Sequence, residues 1–239
     1  MSNLELKIKN LHEICMTVGE IKQQLVEELP HFGHQGLFLQ NDDITTGIVN
    51  NKIEIKINLL TGQLLYFENE RGSFIDLKND NVLEELKSIT SSKNVKISAE
   101  SLKNTTEQEL TTYHDFAKKA SQMLELVRMN LHESFTLVHL WPHHFDFSLE
   151  WFTGNKDEQI GTGISPGDEQ YSNPYLYMNP WPFDIKIIEK SLPIGKWHNE
   201  GWDGIKVEWN ELVQFSPKEA AEKITELFLV VKSHFGNSD

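Results

Sequence analysis

Residues 141–151 combine rigid rings, histidines and a clear alternation of apolar and polar side chains. They read Trp141-Pro142-His143-His144-Phe145-Asp146-Phe147-Ser148-Leu149-Glu150-Trp151. From Phe145 onward every second residue is apolar, which is the pattern of a β-strand with one buried face. The apolar residues are therefore predicted to face a core and the polar residues to share the opposite side. That polar set comprises His144, Asp146, Ser148 and Glu150.

His144 and Asp146 form the most informative pair within this stretch. An imidazole beside a carboxylate can act as a general base, or as a metal ligand with its supporting group. His143 can share a cavity with His144 only if Pro142 introduces a bulge, because adjacent strand residues point to opposite faces. A structural histidine near a strand end is the alternative, and the sequence leaves both interpretations open.

The surrounding region holds all six tryptophans and six of the eight prolines of the chain, between residues 141 and 209. Large rings, a stiffened backbone and a few ionisable groups are typical of a pocket wall. Packing in a core is the alternative for the tyrosines and tryptophans. The candidate ligand-binding residues are Trp141, His143, His144, Asp146, Asp168, Tyr175, Tyr177, Trp181, Trp197, His198 and Trp202.

Two segments of this region are predicted to be irregular. Proline followed by glycine in residues 165–168 indicates a type II turn, which can also hold Asp168 at a pocket mouth. Ser165 is not in the context of a catalytic nucleophile. Residues 195–204 contain three glycines and two tryptophans, and are predicted to form a loop that folds over a ligand, with His198 completing a site with His144 and Asp146.

In the first half, apolar side chains at three- and four-residue spacing predict a helix over 11–29 that Pro30 stops. Short alternating runs at 36–40, 52–58 and 63–68 predict an antiparallel meander. Asp80 is predicted to cap a short helix. Residues 90–104 resemble a linker, although 95–97 has the composition of a strand. His31 and His34 are predicted to lie in an exposed loop.

The second half begins with a capping box, Thr106 to Glu109, ahead of a helix of about seven turns. Strands are predicted over 135–140, 145–151, 159–164 and 174–178. A second capping box at 216–219 starts a terminal helix that Gly236 closes. The order of elements predicts an α+β fold, a mainly antiparallel sheet with helices packed on one face. A single domain is favoured, with halves 1–100 and 101–239 that repeat a helix-strands-helix order and leave a duplication open.

The composition restricts the partners. Acidic residues exceed basic ones and give a net charge of −14, which argues against nucleic acid or an anionic membrane. Cys15 is the single cysteine and lies at a helical apolar position, which predicts an inert core thiol and a reducing compartment. No run approaches the roughly 18 apolar residues of a membrane span. The predicted location is the cytoplasm.

Three functions are consistent with these residues. The first is binding of a small molecule in the aromatic, His- and Asp-lined pocket. The second is a hydrolase with a metal held by His and Asp, although no metal or phosphate motif is present. The third is a structural or interaction module without chemistry. The sequence leaves enzymatic activity, any cofactor and the oligomeric state undecided.

These motifs resemble those of a group of uncharacterised bacterial proteins, in which they occur in the same order. The motifs are residues 141–146, 163–168 with Tyr171, Pro174-Tyr175, Pro180-Trp181-Pro182, and Trp197-His198 with Gly201-Trp202. The first half is more loosely similar to domain of unknown function 5996, through Leu11-His12, Val18-Gly19, His31, His34 and residues 44–47. The resemblance implies a shared architecture and a shared site region, without a mechanism.

Overall fold

The protein is described here by a computed structural model that covers residues 4–50, 52–69, 71–155 and 157–235. Runs of helices and runs of strands follow one another along the chain, and the strands form two antiparallel sheets, so the predicted α+β class is confirmed. The chain divides into two compact units. The first comprises Met1–Lys118 with His139–Phe145, and the second Lys119–Val138 with Asp146–Asp239.

The first unit begins with α1 (Leu4–Lys7) and α2 (Lys9–Leu25). Helix α2 buries the predicted apolar stripe, which includes Leu11, Ile14 and Val18. The predicted extension to residue 29 is wrong, because Val26 is extended. The carbonyl of Leu25 instead accepts a hydrogen bond from Asn50 Nδ2 at 2.5 Å. The helix therefore ends on a contact with a residue far along the chain.

A five-stranded antiparallel meander follows, in chain order. Its strands are β1 (Phe38–Gln40), β2 (Asp43–Thr45), β3 (Ile53–Asn58), β4 (Gln63–Glu68) and β5 (Arg71–Asp76). The prediction of a meander is confirmed, but β2 and β5 were not predicted. The first four residues of β5 are exposed, so this strand has no buried face there that would require alternating apolar and polar residues.

Helix α3 (Val82–Thr90) forms where a short helix was predicted. The predicted cap at Asp80 is wrong, since Asn81 occupies that position and caps nothing with its side chain. The predicted strand at 95–97 is also wrong. Both backbone groups of Lys96 bond to the side chain of Gln24, at 2.7 and 2.8 Å. A side chain here provides the hydrogen bonds that a neighbouring strand would otherwise supply.

Helix α4 (Glu107–Leu131) starts with the predicted capping box and runs through both units. Glu109 Oε2 accepts hydrogen bonds from the backbone and hydroxyl of Thr106, at 2.9 and 3.2 Å, and the Glu109 amide donates back to that hydroxyl at 3.1 Å. Strand β6 (His139–Trp141) belongs to the first unit, where Leu140 pairs with Leu37. The predicted strand over 135–140 is therefore shorter than expected.

A turn at residues 142–145 follows β6. Phe145 has a φ of 56° and its amide donates to the carbonyl of Trp141 at 2.7 Å. Its ring lies between those of His12 and Tyr113, with centroid distances of 4.6 and 4.0 Å. Phe145 is thus a core residue of the first unit, and the strand predicted to begin there begins one residue later.

The second unit contains β7 (Asp146–Phe152), β8 (Gln159–Ser165), β9 (Tyr175–Trp181), β10 (Lys196–His198) and β11 (Gly204–Glu208). These strands are antiparallel and follow the order β10-β11-β9-β8-β7. Residues 195–204, predicted to be a loop, therefore include β10 and the start of β11. That expectation is wrong because Gly195 directly precedes β10 and Gly204 begins β11, so only residues 199–203, which include Gly201, connect the two strands.

One face of this sheet is apolar. Trp151 of β7 meets Phe228 edge to face at a centroid distance of 5.5 Å, as expected for a helix packed on the sheet. That helix is α6 (Pro217–Phe235), and it starts with the predicted capping box between Ser216 and Glu219. A short helix, α5 (Trp209–Leu212), follows β11. Gly236, predicted to close α6, lies outside the described residues.

Two further predictions concern the single cysteine and the absence of a membrane-spanning segment. Cys15 is fully buried, and burial raises the pKa of its thiol well above the ordinary value, as expected of an inert core residue. Across the described helices, none combines the length and the apolar character that crossing a membrane requires.

Candidate functional site

The opposite face of the second unit's sheet carries a contiguous set of polar and aromatic side chains, which we call the polar face. Alternation along β7, β9, β10 and β11 places most of them there, and Trp202, between β10 and β11, joins them by its contact with His198. Two glycines of β8, Gly161 and Gly163, leave space at its centre. The residues of the polar face are Asp146, Ser148, Glu150, Tyr175, Tyr177, Asn179, Lys206, His198 and Trp202.

Tyr177 occupies the space above Gly163. The register pairs Ser148 with Gly163 and Gly163 with Tyr177. A Cβ atom at Gly163 would lie 2.3 Å from the tyrosine oxygen, so only glycine fits beneath this ring. The hydroxyl group donates a hydrogen bond to Asp146 Oδ2. Desolvation and the Asp146 carboxylate raise the pKa of Tyr177 well above its ordinary value, which keeps the phenol protonated.

Glu150 lies over the second glycine of β8. Its carboxylate oxygens are 2.9 and 3.0 Å from the position of a Cβ at Gly161. Desolvation, followed by the charge of Asp146, raises the pKa of Glu150 to about 7. Glu150 Oε2 is buried and has no hydrogen-bond partner among the described residues. This carboxyl group is therefore close to half-protonated at neutral pH and has a free acceptor.

Asn179 provides a second unpaired acceptor, in the same row of residues paired across neighbouring strands as Glu150 and Gly161. Gly161 pairs with Glu150 on one side and with Asn179 on the other. Asn179 Oδ1 is buried and accepts no hydrogen bond from the described part of the chain. It lies 3.1 Å from the position that a Cβ at Gly204 would take. Glycines thus flank this amide on both neighbouring strands.

Trp202 lies over Gly204, next to Asn179 at the end of this row. Its Cζ3 atom is 3.1 Å from the Cβ position of Gly204, where φ is 157°. The indole contacts the ring of His198 at a centroid distance of 4.2 Å, and lies 6.4 and 6.5 Å from the rings of Tyr175 and Tyr177. Trp202 is only partly buried, so part of this aromatic cluster is open to solvent.

His198 is fixed by Tyr171 and by the backbone of Glu200. Its Nε2 atom lies 2.7 Å from the Tyr171 hydroxyl and 3.0 Å from the Glu200 carbonyl. The same hydroxyl donates to that carbonyl at 2.7 Å. All three contacts are satisfied when Nε2 carries the proton. These residues also line a cavity of about 130 Å³. The arrangement positions His198 against Trp202.

Asp168 stabilises the turn that precedes β9. Its Oδ1 accepts from the amides of Gln170 and Tyr171, at 2.8 and 2.7 Å, and its Oδ2 accepts from the Tyr175 hydroxyl at 3.2 Å. Gly167 has the positive φ, 101°, of the third position of a type II turn. The Asp168 amide bonds forward to Tyr171 at 2.8 Å. Asp168 therefore acts by holding the backbone and Tyr175.

The structure connects six of the predicted site residues by direct contacts and leaves two others of the same unit outside this set. Trp181 is 59% exposed at the far end of β9. Trp197 lines the cavity of about 130 Å³ beside His198, but its indole nitrogen donates to the Lys190 carbonyl at 3.1 Å. The six that are connected through direct contacts are Asp146, Asp168, Tyr175, Tyr177, His198 and Trp202.

Trp141, His143 and His144 lie in the first unit. His144 was predicted to share a strand face with Asp146, but it lies in the turn before β7, and alternation does not apply to it. Both histidines are exposed, with ring centroids 4.4 Å apart. His143 lines a groove of about 600 Å³ together with carboxylates of α2 and residues 98–102.

Three groups that are central to the geometry of the polar face were not predicted as site residues: Glu150, Asn179 and the glycine pair of β8. Glu150 was placed on the correct face, and Gly161 and Gly163 alternate in step with the polar residues of β7. Only the strand register shows that these glycines lie beneath Glu150 and Tyr177. That pairing was the missing information.

Within the described residues, no group of three or more His, Cys, Asp or Glu side chains could hold a metal ion. Comparisons of the chain with protein-family models, with curated proteins and with solved structures found no match. The resemblance to domain of unknown function 5996 therefore stays a prediction, and the function has to be argued from the site itself.

Proposed function

We propose that the second unit binds a small molecule on its polar face. The observation that carries this proposal is the pair of buried acceptors, Glu150 Oε2 and Asn179 Oδ1, which have no donor among the described residues. An unpaired buried acceptor costs about 1–3 kcal/mol. A ligand that donates hydrogen bonds to both would remove this cost, so binding and stabilisation of the face would go together.

The aromatic cluster supports the same proposal. Tyr177 and Trp202 are each partly buried, so their rings are held in place yet retain accessible surface. Aromatic pairs in offset or edge-to-face geometry contribute about 0.5–1.5 kcal/mol beyond area burial. A planar ligand would gain such contacts beside the two acceptors.

Acid–base catalysis is a second candidate, favoured by one observation. The pKa of Glu150, raised to about 7, lets this group take up or release a proton near neutrality. A ligand with a proton to transfer could therefore be a substrate. The metal-dependent hydrolase has less support, since the described residues include no cluster of metal ligands.

We place this activity in the cytoplasm. The single, buried cysteine fits a reducing compartment. The net charge of −14 disfavours competition from nucleic acids and anionic membranes, so the partner we propose is a small molecule.

A fragment screen by ligand-observed NMR, with two matched tryptophan variants, tests the proposal. Trp202→Phe alters the polar face, whereas Trp181→Phe alters an exposed ring at the far end of β9. Fragments that bind the native protein are expected to lose at least tenfold in affinity with Trp202→Phe and to keep it with Trp181→Phe. Melting temperatures establish that both variants fold. An absence of binding fragments, or equal affinity in both variants, would contradict the proposal.

A further inference from the structure

Two lysines of the second unit face one small cavity. Lys196 of β10 and Lys206 of β11 lie directly opposite each other in the antiparallel register, and both line the cavity of about 130 Å³ beside His198. The Cβ atoms of such a pair are roughly 5 Å apart, and like charges in this position destabilise the sheet. The register therefore holds two ammonium groups where a shared negative charge would stabilise both.

Among the described residues, a carboxylate neutralises only one of the two lysines. Lys206 Nζ pairs with Glu208 Oε1 at 2.6 Å. Lys196 forms no ion pair within the part of the chain that the structure describes. Glu200, the one carboxylate among the described lining residues, is exposed and pairs with neither lysine. The charge of Lys196 is thus available to a ligand.

Lys206 is held in place before any ligand binds. Its Nζ atom lies 4.8 and 5.5 Å from the ring centroids of Tyr171 and Tyr175, within the range of a cation–π interaction. Its side chain is 12% exposed, and the Tyr171 ring is itself fixed, because its hydroxyl donates to the Glu200 carbonyl at 2.7 Å. A charge that is already ordered loses little conformational entropy when a ligand arrives.

The size of the cavity restricts its ligand to a small group. A water molecule takes about 30 Å³, so a volume of about 130 Å³ holds roughly four. Pockets for drug-sized molecules begin at about 300 Å³. A carboxylate or a phosphate group is small enough, and its oxygens accept hydrogen bonds from ammonium groups and from the side-chain amide of Asn199, which also lines the cavity.

We propose that this cavity binds a small oxyanion, a carboxylate or a phosphate group, between the ammonium groups of Lys196 and Lys206. The anion supplies the negative charge that the paired lysines lack. Since the protein carries a net charge of −14, its overall field repels anions, and binding has to come from this local arrangement. The site goes beyond the proposed function, because it requires no contact with Trp202 or with the unpaired acceptors of the polar face.

Titration with sodium phosphate and with sodium acetate, in Tris chloride at constant ionic strength, tests the site. In ¹H–¹⁵N spectra, the amides of Lys196, His198 and Asn199 are expected to show saturable shifts with at least one of the two anions. The anion that produces the shifts identifies the group as phosphate or carboxylate. Sodium chloride alone is the control for general screening, which acts on all exposed charges.

Three lysine variants separate a specific site from an exposed charge. Lys196→Gln should weaken anion binding by roughly fivefold, the upper end for a solvent-exposed charge pair. Lys196→Arg keeps the charge and should retain the affinity. Lys218→Gln removes an exposed charge at the start of α6 and should leave binding unchanged.

Three results would overturn the proposal. They are shifts no larger than those with chloride, equal affinity in Lys196→Gln and the native protein, and equal losses in Lys196→Gln and Lys218→Gln. Aggregation of Lys196→Gln with unchanged anion binding would assign this lysine to the protection of an edge strand, since β10 lies at the edge of its sheet. None of these results alters the dependence of fragment binding on Trp202, so the proposed function is tested separately.

Discussion

Tyr177 donates a hydrogen bond to Asp146 across the backbone of Gly163, and the absent side chain of this glycine makes room for the tyrosine ring. Three neighbouring strands are thereby joined on the polar face by side chains as well as by their backbone ladder. A glycine also makes room for a polar side chain two residues earlier on β8, where Glu150 lies over Gly161. Glycines on β8 thus determine which polar groups can be buried on this face.

Gly163→Ala is expected to destabilise the protein by about 2–3 kcal/mol, because a Cβ atom there meets the rigid tyrosine ring at 2.3 Å. Gly161→Ala should cost less than about 1 kcal/mol, since the nearest atoms belong to the flexible end of Glu150. Urea unfolding of both variants measures the difference.

Tyr177→Ala supplies the control for this pair of variants. Once the ring is removed, the cost of Gly163→Ala is expected to fall by roughly half, with the remainder due to Ser148, whose Cβ lies 2.8 Å away. Equal costs for the two glycines, or a cost of Gly163→Ala that is independent of Tyr177, would refute this account of the packing.

Glu150→Gln is expected to increase stability at neutral and alkaline pH. The folded chain holds the proton of Glu150 with a pKa of about 7, against an ordinary value of 4.5. This group therefore contributes stability that is complete below pH 4.5 and lost as the pH rises to 7. The amide does not ionise, so the variant should exceed the native protein by up to about 3 kcal/mol above pH 7. Thermal unfolding between pH 4 and 8 measures the gap.

Glu222→Gln, at an exposed position of α6, is the matched control. A native protein more stable than Glu150→Gln at pH 8 would show that the carboxylate is paired in the folded state, contrary to the structure.

His12 should make the first unit sensitive to acid. Burial lowers the pKa of this imidazole below its ordinary value of 6.5, although its Nε2 donates to the Pro142 carbonyl at 2.7 Å. The folded state binds the proton less tightly, so this stability is complete above pH 6.5 and is lost as the pH falls. Relative to His12→Gln, the native protein is expected to lose stability as the pH falls below 6.5.

The comparison for this histidine is His132→Asn, at an exposed position with a φ of 48° that asparagine tolerates. This variant shows the effect of removing a histidine that the core does not bury. A stability difference for His12→Gln that depends on pH no more than that of His132→Asn would mean that the imidazole of His12 is not desolvated in the folded chain.

Local patterns predicted the elements whose stabilising contacts are local. Both capping boxes formed, and the alternation of β7 correctly placed Phe147, Leu149 and Trp151 in the core. Helix α2 ended early because its last carbonyl bonds to Asn50, and residues 95–97 avoided a sheet because Gln24 satisfied Lys96. Contacts between residues 25 and 72 positions apart are not visible in a short window of sequence.

The site was predictable to a smaller extent. Residue type and alternation selected Asp146, Tyr175 and Tyr177, which the structure connects. His144 was misplaced because a turn at residues 142–145 precedes the strand, and Phe145 adopts a positive φ that its residue type does not suggest. The importance of Glu150 and Asn179 depends on strand register, which sequence patterns leave undetermined until the sheet is assembled.

Chemical-shift mapping of a binding fragment, read at the glycine amides in ¹H–¹⁵N spectra, is the most direct test of ligand binding on the polar face. Gly161, Gly163 and Gly204 lie beneath it, whereas Gly19 packs against Pro142 and Gly62 follows β3 in the first unit. The account predicts saturable shifts at the first three amides and little change at the other two. Shifts concentrated at Gly19 or Gly62, with the three site glycines unmoved, would contradict it.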